Sequence, residues 1–223
     1  MNDKNNSLEF SFFQSLKNDG SELALEIGEF SLDQFLDDSL IKDIPFFSIF
    51  YKSYKTAINV REALFAMKVY KFLKDFNAIK IEQKISFIDK IDYNKRERNK
   101  IGQTLLMVID RLDDYDKTQI LANLFAAYLE GNVKNVELIY LCNIVQNAYL
   151  EHLNFFLRAS NIKEDLSNDV QSSLSAIGLM IPFVANHTYI YSEVELSEDR
   201  NSIAYHVSEI GRKFRKYAVR PLP

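Results

Sequence analysis

Few side chains in this sequence could carry out nucleophilic or metal chemistry. The chain of 223 residues has one cysteine, Cys142, and three histidines, His152, His187 and His206. A Cys–His pair must share one face, but positions 142 and 152 of one helix are separated by about 280° of rotation. None of the histidines has the spacing of a zinc ligand set. We therefore expect no catalytic residue, no metal site and no cofactor, and we expect Cys142 to be a buried apolar side chain.

A run of acidic residues between two predicted helices suggests a cation site at first sight. The run consists of Asp110, Asp113, Asp114 and Asp116. An EF-hand loop also needs a conformationally special glycine and a terminal glutamate, whereas a lysine, a threonine and a glutamine follow this run. Asp114 or Asp116 is expected instead to cap the helix that follows. Glycine-rich phosphate loops and nucleophile-elbow motifs are absent from the sequence, which predicts that the protein is not an enzyme.

The C-terminal segment carries the remaining candidate site. Four basic residues there could contact a nucleic acid or another anion: Arg212, Lys213, Arg215 and Lys216. Positive charges near a helix C-terminus also balance the helix dipole. The helix predicted over 168–177, which would read DNA in a winged helix, contains no lysine or arginine. Because phosphate neutralisation supplies much of the affinity for DNA, nucleic acid is an alternative partner that we do not favour.

Composition places the chain among ordinary globular proteins. Hydrophobic residues make up 47% of it and charged residues 26%, and only four prolines and six glycines interrupt it. So few turn-forming residues favour helices over a β-rich fold. With one cysteine no intramolecular disulfide is possible, and the N-terminal residues lack the pattern of a signal peptide. These features predict a cytoplasmic protein.

The spacing of apolar residues predicts a series of helices joined by short turns. A long helix is predicted from Pro45 to Phe76, and others over 81–91, 95–112, 117–129 and 135–159. Such a series is typical of an antiparallel bundle. The stripe over 44–76 is flanked by lysines, so it could lie on a membrane surface, but we expect it to be a core helix and membrane binding is not expected.

The pattern changes after about residue 166. Ser167 is expected to cap the helix over 168–177, which Gly178 ends. A β-hairpin follows in LMIPFVAN and SIAYHVS, with a third strand between them, and Ser208 opens a basic final helix. The order helix, hairpin, helix is that of a winged helix.

The predicted fold class is therefore mainly α. An antiparallel helical bundle is followed by a small winged-helix-like α/β unit at the C-terminus. We divide the chain into an acidic helical arm over 1–43, a bundle over 44–160 and the winged-helix-like unit over 166–223.

Two segments of the C-terminal half, SLSAIGLMIPF and YHVSEIGRKFRKYA, carry a family resemblance. The matching residues are Leu174, Ile177, Gly178, Leu179, Met180, Val207, Ser208, Gly211 and Phe214. In these segments the chain resembles the Abi-alpha (abortive infection alpha) proteins of bacteria. It departs from them at Ala176, where that family tends to have a polar or basic residue, and its N-terminal arm has no counterpart. The resemblance implies a bacterial protein associated with defence against phage and carries over no catalytic residue.

Together these observations lead to one functional hypothesis and two alternatives. The chain is expected to be a non-enzymatic bacterial interaction or regulatory protein, a component of a phage-defence system, that binds a protein partner or itself. The first alternative is a winged-helix DNA-binding regulator. The second is a membrane-active effector that uses the helix over 44–76.

Overall fold

A computed structural model of the chain describes residues 7–17, 35, 39–53, 58–82, 84–185 and 202–220. The chain forms two compact units. The N-terminal unit comprises Met1–Gln146 and Tyr217–Pro223, and the C-terminal unit comprises Asn147–Lys216. The division into three segments, drawn from the sequence at residues 43 and 160, stays a prediction.

Eight of the described helices begin in the N-terminal unit. They are α1 (Leu8–Leu16), α2 (Ser39–Asp43), α3 (Pro45–Ser53), α4 (Val60–Ala78), α5 (Lys84–Tyr93), α6 (Lys95–Arg111), α7 (Lys117–Leu129) and α8 (Asn135–Asn147). Helix α4 packs along α7, and α1 contacts α3 and α6. Because helices meet through their apolar stripes, these contacts enclose a core to which α1 belongs.

Phenylalanine rings fill the centre of this core. Phe12 of α1 stacks on Phe72 of α4 with ring centroids 5.7 Å apart, and Phe76 meets Phe125 of α7 at 5.4 Å. The buried phenylalanines of the segment 44–76 are Phe46, Phe47, Phe50, Phe72 and Phe76. These rings pack inward, into the core of the unit. Within the described residues, no helix is both long enough and apolar enough to span a bilayer.

The single helix predicted from Pro45 to Phe76 is wrong. Helix α3 ends at Ser53, and Asn59 has extended backbone angles (φ −83°, ψ 167°) before α4 begins. The Asn59 side chain accepts a hydrogen bond from the Glu62 amide at 3.0 Å, and the Glu62 carboxylate accepts one from the Asn59 amide at 2.9 Å. This reciprocal capping box satisfies the amides of a new helix start, so the chain begins a second helix there.

The helix predicted over 135–159 is also two helices. Helix α8 ends at Asn147, and Tyr149 is extended (φ −75°, ψ 128°) before the next helix starts at Leu150. Neither glycine nor proline marks this break. Ala148, at the break, is buried.

The C-terminal unit contains four further helices and two strands among the described residues. They are α9 (Leu150–Arg158), α10 (Ile162–Asp165), α11 (Asn168–Ala176), β1 (Met180–Ala185), β2 (Ser202–Val207) and α12 (Glu209–Tyr217). The prediction of a mainly α chain with a small C-terminal α/β unit is confirmed. The more specific assignment to the winged-helix class stays a prediction.

The two strands pair antiparallel, from Met180 opposite Val207 to Ala185 opposite Ser202. They form a two-stranded sheet in the part of the chain that the structure describes. The predicted third strand falls within 186–201, outside the described residues.

Local capping signals position the elements around this hairpin as the sequence predicts. The Ser167 hydroxyl accepts from the Val170 amide and starts α11, and Gly178 follows that helix with a positive φ of 84°. The Ser208 hydroxyl accepts from the Gly211 amide at 2.9 Å and donates to the Gly178 carbonyl at 2.7 Å. One serine therefore both starts α12 and fixes it to Gly178, two residues before β1.

Candidate interaction surface

The predicted anion-contact residues lie on α12, and two of them bind backbone carbonyls of their own unit. The Arg212 Nη1 donates to the Val207 carbonyl at 2.9 Å. The Arg215 guanidinium donates to the Ala159 carbonyl and lies 5.5 Å from the ring centroid of Phe156. Through these contacts, Arg212 and Arg215 stabilise their own unit. The other two predicted residues are placed differently: Lys213 is half-buried and Lys216 is exposed.

Helix α11 is the helix that the sequence predicts as the DNA-reading helix of a winged helix, and its inner face belongs to the core. Leu174 is fully buried, and the Gln171 amide group donates to the Leu166 carbonyl at 2.7 Å. Helix α11 contains no lysine or arginine, so it has no side chain that could neutralise the charge of a phosphate.

A serine and a histidine meet between α9 and α11. The His152 Nδ1 lies 2.9 Å from the Ser173 hydroxyl, and the Tyr149 ring contacts the imidazole edge-on at 5.1 Å. A nucleophilic serine needs a base that a third group orients. The contacts of His152 found within the described residues are a hydroxyl and an aromatic ring, which supply no such group. This pair was not considered in the sequence, where the two residues stand 21 positions apart.

Cys142 is fully buried in the N-terminal unit, as predicted. Burial raises the pKa of its thiol to about 12, because the thiolate would lose its hydration. The thiol is therefore protonated at neutral pH and has neither the charge nor the access that a nucleophile needs.

The acidic run lines a pocket, and two of its carboxylates are paired there with neighbouring cations. Asp110 accepts from Arg61 at 3.2 Å, and Asp113 lies 2.6 Å from the ammonium of the fully buried Lys117. Asp116 holds the N-cap position of α7, as predicted, but its side chain makes no capping hydrogen bond. The Asp114 carboxylate accepts a hydrogen bond from the Asp116 amide instead. No group of three or more potential metal ligands occurs in the described parts of the chain.

Asp75 is the buried carboxylate between α4 and α7 that sequence reasoning missed. It accepts from the Lys71 ammonium and from the Thr118 hydroxyl, each at 2.5 Å. Burial raises the pKa of Asp75 in spite of these two partners. Because Asp75 and Lys71 lie on α4 and Thr118 lies on α7, these hydrogen bonds tie two core helices together.

The β-hairpin of the C-terminal unit carries large apolar side chains that packing within the unit leaves exposed. Four large apolar side chains of its strands are exposed: Ile181, Phe183, Val184 and Ile203. They include residues on both faces of the sheet, since Phe183 and Val184 are adjacent on β1. A hairpin packed on one face alternates apolar and polar residues, whereas β1 reads MIPFVA. That missing alternation is the sequence signal that could have identified this surface.

No protein-family model, curated protein or solved structure matches this chain.

Proposed function

We propose that the protein is a non-enzymatic interaction protein and that the exposed apolar β-hairpin of the C-terminal unit is its contact surface. The observation that supports this proposal is the exposure of four large apolar side chains on one small two-stranded sheet. Ile181 and Phe183 lie on one face of the sheet, and Val184 and Ile203 lie on the other. Exposed large apolar side chains gathered on one small element are typical of protein-contact sites. Fully burying one such side chain is worth about 1.5–3 kcal/mol, so a partner that covers several of them gains substantial free energy.

The other surfaces favour contact with protein over chemistry. The buried thiol, the Ser–His pair without an orienting acid and the internally paired acidic run each have a structural role. The resemblance to the Abi-alpha family suggests the process in which the contact takes part, which is bacterial defence against phage. The residues that carry the resemblance, including Gly178, Ser208 and Gly211, join the hairpin to α12 and thereby present it.

Site-specific photo-cross-linking tests this function in cells that make the protein naturally. A photoreactive amino acid replaces Val184 on the hairpin, or Val136 on α8 as the matched control. Both positions hold an exposed valine, 60% and 78% accessible respectively. We expect a discrete cross-linked adduct from position 184 that is absent from position 136. Equal cross-linking at the two positions, or none at position 184, would contradict the proposal.

A further inference from the structure

One side of helix α6 in the N-terminal unit carries exposed basic and amide side chains along its length. At 3.6 residues per turn, these side chains fall within about 120° of rotation around the helix axis and along about 22 Å of the helix. They form what we call the basic face: Arg96, Asn99, Lys100, Gln103, Met107 and Arg111. Lys95, which is also exposed, flanks this face at the start of the helix. The basic face therefore contains cations and amides but no acidic residue.

The fold does not account for three of the cations on this side of α6. Lys95 and Arg96 occupy the first two positions of the helix, where the helix dipole disfavours positive charge. In the described part of the chain, the side chains of Lys95, Arg96 and Lys100 form neither ion pairs nor hydrogen bonds. Arg98 of the same helix, by contrast, is buried and pairs with Asp92 at 2.9 Å. The exposed cations thus have a charge that packing does not use.

The acidic side chains of α6 itself are engaged outside the basic face. The Glu97 carboxylate accepts from a tyrosine hydroxyl at 2.9 Å, and Asp110 pairs with Arg61 at 3.2 Å. Glu9 of α1 borders the face, because its carboxylate accepts from the Gln103 amide group at 3.0 Å. The face keeps a positive charge on both sides of this contact.

We infer that the basic face of α6 binds duplex DNA in the major groove. This inference goes beyond the proposed function, since it assigns a second surface on the other unit. An α-helix fits into the major groove of B-form DNA, which is about 12 Å wide. Lys95 and Arg111 lie at the two sides of the face, as contact with the two phosphate walls of a groove requires. Between them, Asn99 and Gln103 carry amide groups of the kind that hydrogen-bond to base edges.

The composition of the face favours DNA over other anionic partners. A helix that lies on a membrane surface needs a wide apolar stripe, and protein interfaces centre on aromatic or aliphatic anchors. Met107, 54% exposed, is the one large apolar side chain on the basic face. The major groove of duplex RNA is too narrow for a helix. Helix α11, which the sequence predicts to read DNA, contains no lysine or arginine, so α6 is the better candidate for that contact.

Fluorescence anisotropy of a labelled DNA duplex of mixed sequence, titrated with the full chain at several KCl concentrations, tests this inference. For about three neutralised phosphates, we expect the logarithm of affinity to fall against the logarithm of salt with a slope of about −3. Arg96→Gln/Lys100→Gln should weaken binding at low salt at least about tenfold and reduce this slope by about 2. Lys134→Gln/Arg158→Gln, the matched control, removes two exposed cations outside α6 and should preserve affinity and slope. Glu9→Gln should strengthen binding, because it removes the negative charge that borders the face.

Several outcomes would overturn the inference. One is the absence of duplex binding by the wild-type chain at the lowest salt. Another is an equal loss of affinity in the control variant, since net charge alone would then explain binding. Duplex RNA of the same sequence bound as tightly as DNA would exclude groove docking, and binding to phosphatidylglycerol vesicles without binding to DNA would identify a membrane partner instead. Thermal unfolding of Arg96→Gln/Lys100→Gln should match wild type, because both side chains are exposed, and thus separates lost binding from misfolding.

Discussion

The α-carbon of Gly211 in α12 packs against the carbonyl oxygen of Leu179, so closely that a β-carbon at position 211 would lie 2.2 Å from that oxygen. The contact is between backbone atoms on both sides, and neither can rotate away. It joins the start of α12 to the residue that precedes β1, and thus supports the hairpin that we propose as the contact surface.

Gly211→Ala should therefore destabilise the C-terminal unit by about 3 kcal/mol, the upper range for overpacking a rigid site. Hydrogen exchange measured by mass spectrometry should be faster in Gly211→Ala than in wild type, and the increase should lie in peptides of residues 147–216. Gly131→Ala is the control, because a β-carbon there meets no atom within 4 Å and only the positive φ of 77° opposes it. That strain costs about 1–2 kcal/mol. Equal losses in the two variants would contradict the steric explanation.

The capping box at the start of α4 makes a second prediction. Glu62→Ala removes the acceptor for the Asn59 amide, and Asn59→Ala removes the acceptor for the Glu62 amide. Each should lower the free energy of unfolding by about 1 kcal/mol in urea titrations. Glu62→Gln keeps an acceptor oxygen and should cost much less. A Gln variant as unstable as the Ala variant would show that charge, and not the hydrogen bond, matters here.

The ion pair between Glu130 and Arg220 predicts a pH dependence within the N-terminal unit. Arg220 donates two hydrogen bonds to the carboxylate, at 2.9 and 2.7 Å, and these lower the pKa of Glu130. A lowered pKa in the folded state means that the pair stabilises the fold above the ordinary glutamate value of 4.5 and loses this effect as pH falls through the lowered value.

Arg220→Met should thus cost about 1 kcal/mol near neutral pH and progressively less in acid, as thermal unfolding at several pH values would show. Arg111→Met removes an exposed arginine of the same unit as the control. A cost for Arg220→Met that stays constant down to the acid limit would rule out the ionised pair as its cause.

Arg215 distinguishes a structural role for the basic helix from an anion-binding one. Its guanidinium holds the Ala159 carbonyl and the Phe156 ring, so Arg215→Met should lower unfolding free energy by about 1–2 kcal/mol. Lys216→Met, at an exposed position, should have a smaller effect. Mobility-shift assays on duplex DNA at low salt provide the second measurement. A shift that both variants weaken would favour the DNA-binding alternative.

Local signals in the sequence predicted local structure well. Ser167 and Ser208 cap the helices that they precede, and Gly178 ends α11 with a positive φ, because a cap depends on a few neighbouring amides. The Asn59–Glu62 capping box was equally visible, with an asparagine three residues before a glutamate. The apolar spacing, however, runs on through both helices and favours a single one.

Other features had no local signal. Tyr149 interrupts a helix without glycine or proline nearby. Lys117 stands four residues after its partner Asp113, but its complete burial depends on the packing of the whole unit. The meeting of His152 with Ser173 likewise depends on how α9 packs against α11.

By itself, the sequence determined that the chain is mainly helical with a small α/β unit at its C-terminus, because apolar spacing and caps act over a few residues. It also placed Pro182 in a strand, and a strand that contains proline lies at an edge. Only the tertiary structure decided which backbone groups point outward, because that depends on the register of β1 with β2, set by contacts between residues 17 to 27 positions apart. The same register places the apolar residues of the hairpin on both faces of the sheet. The small C-terminal unit leaves several of these residues exposed.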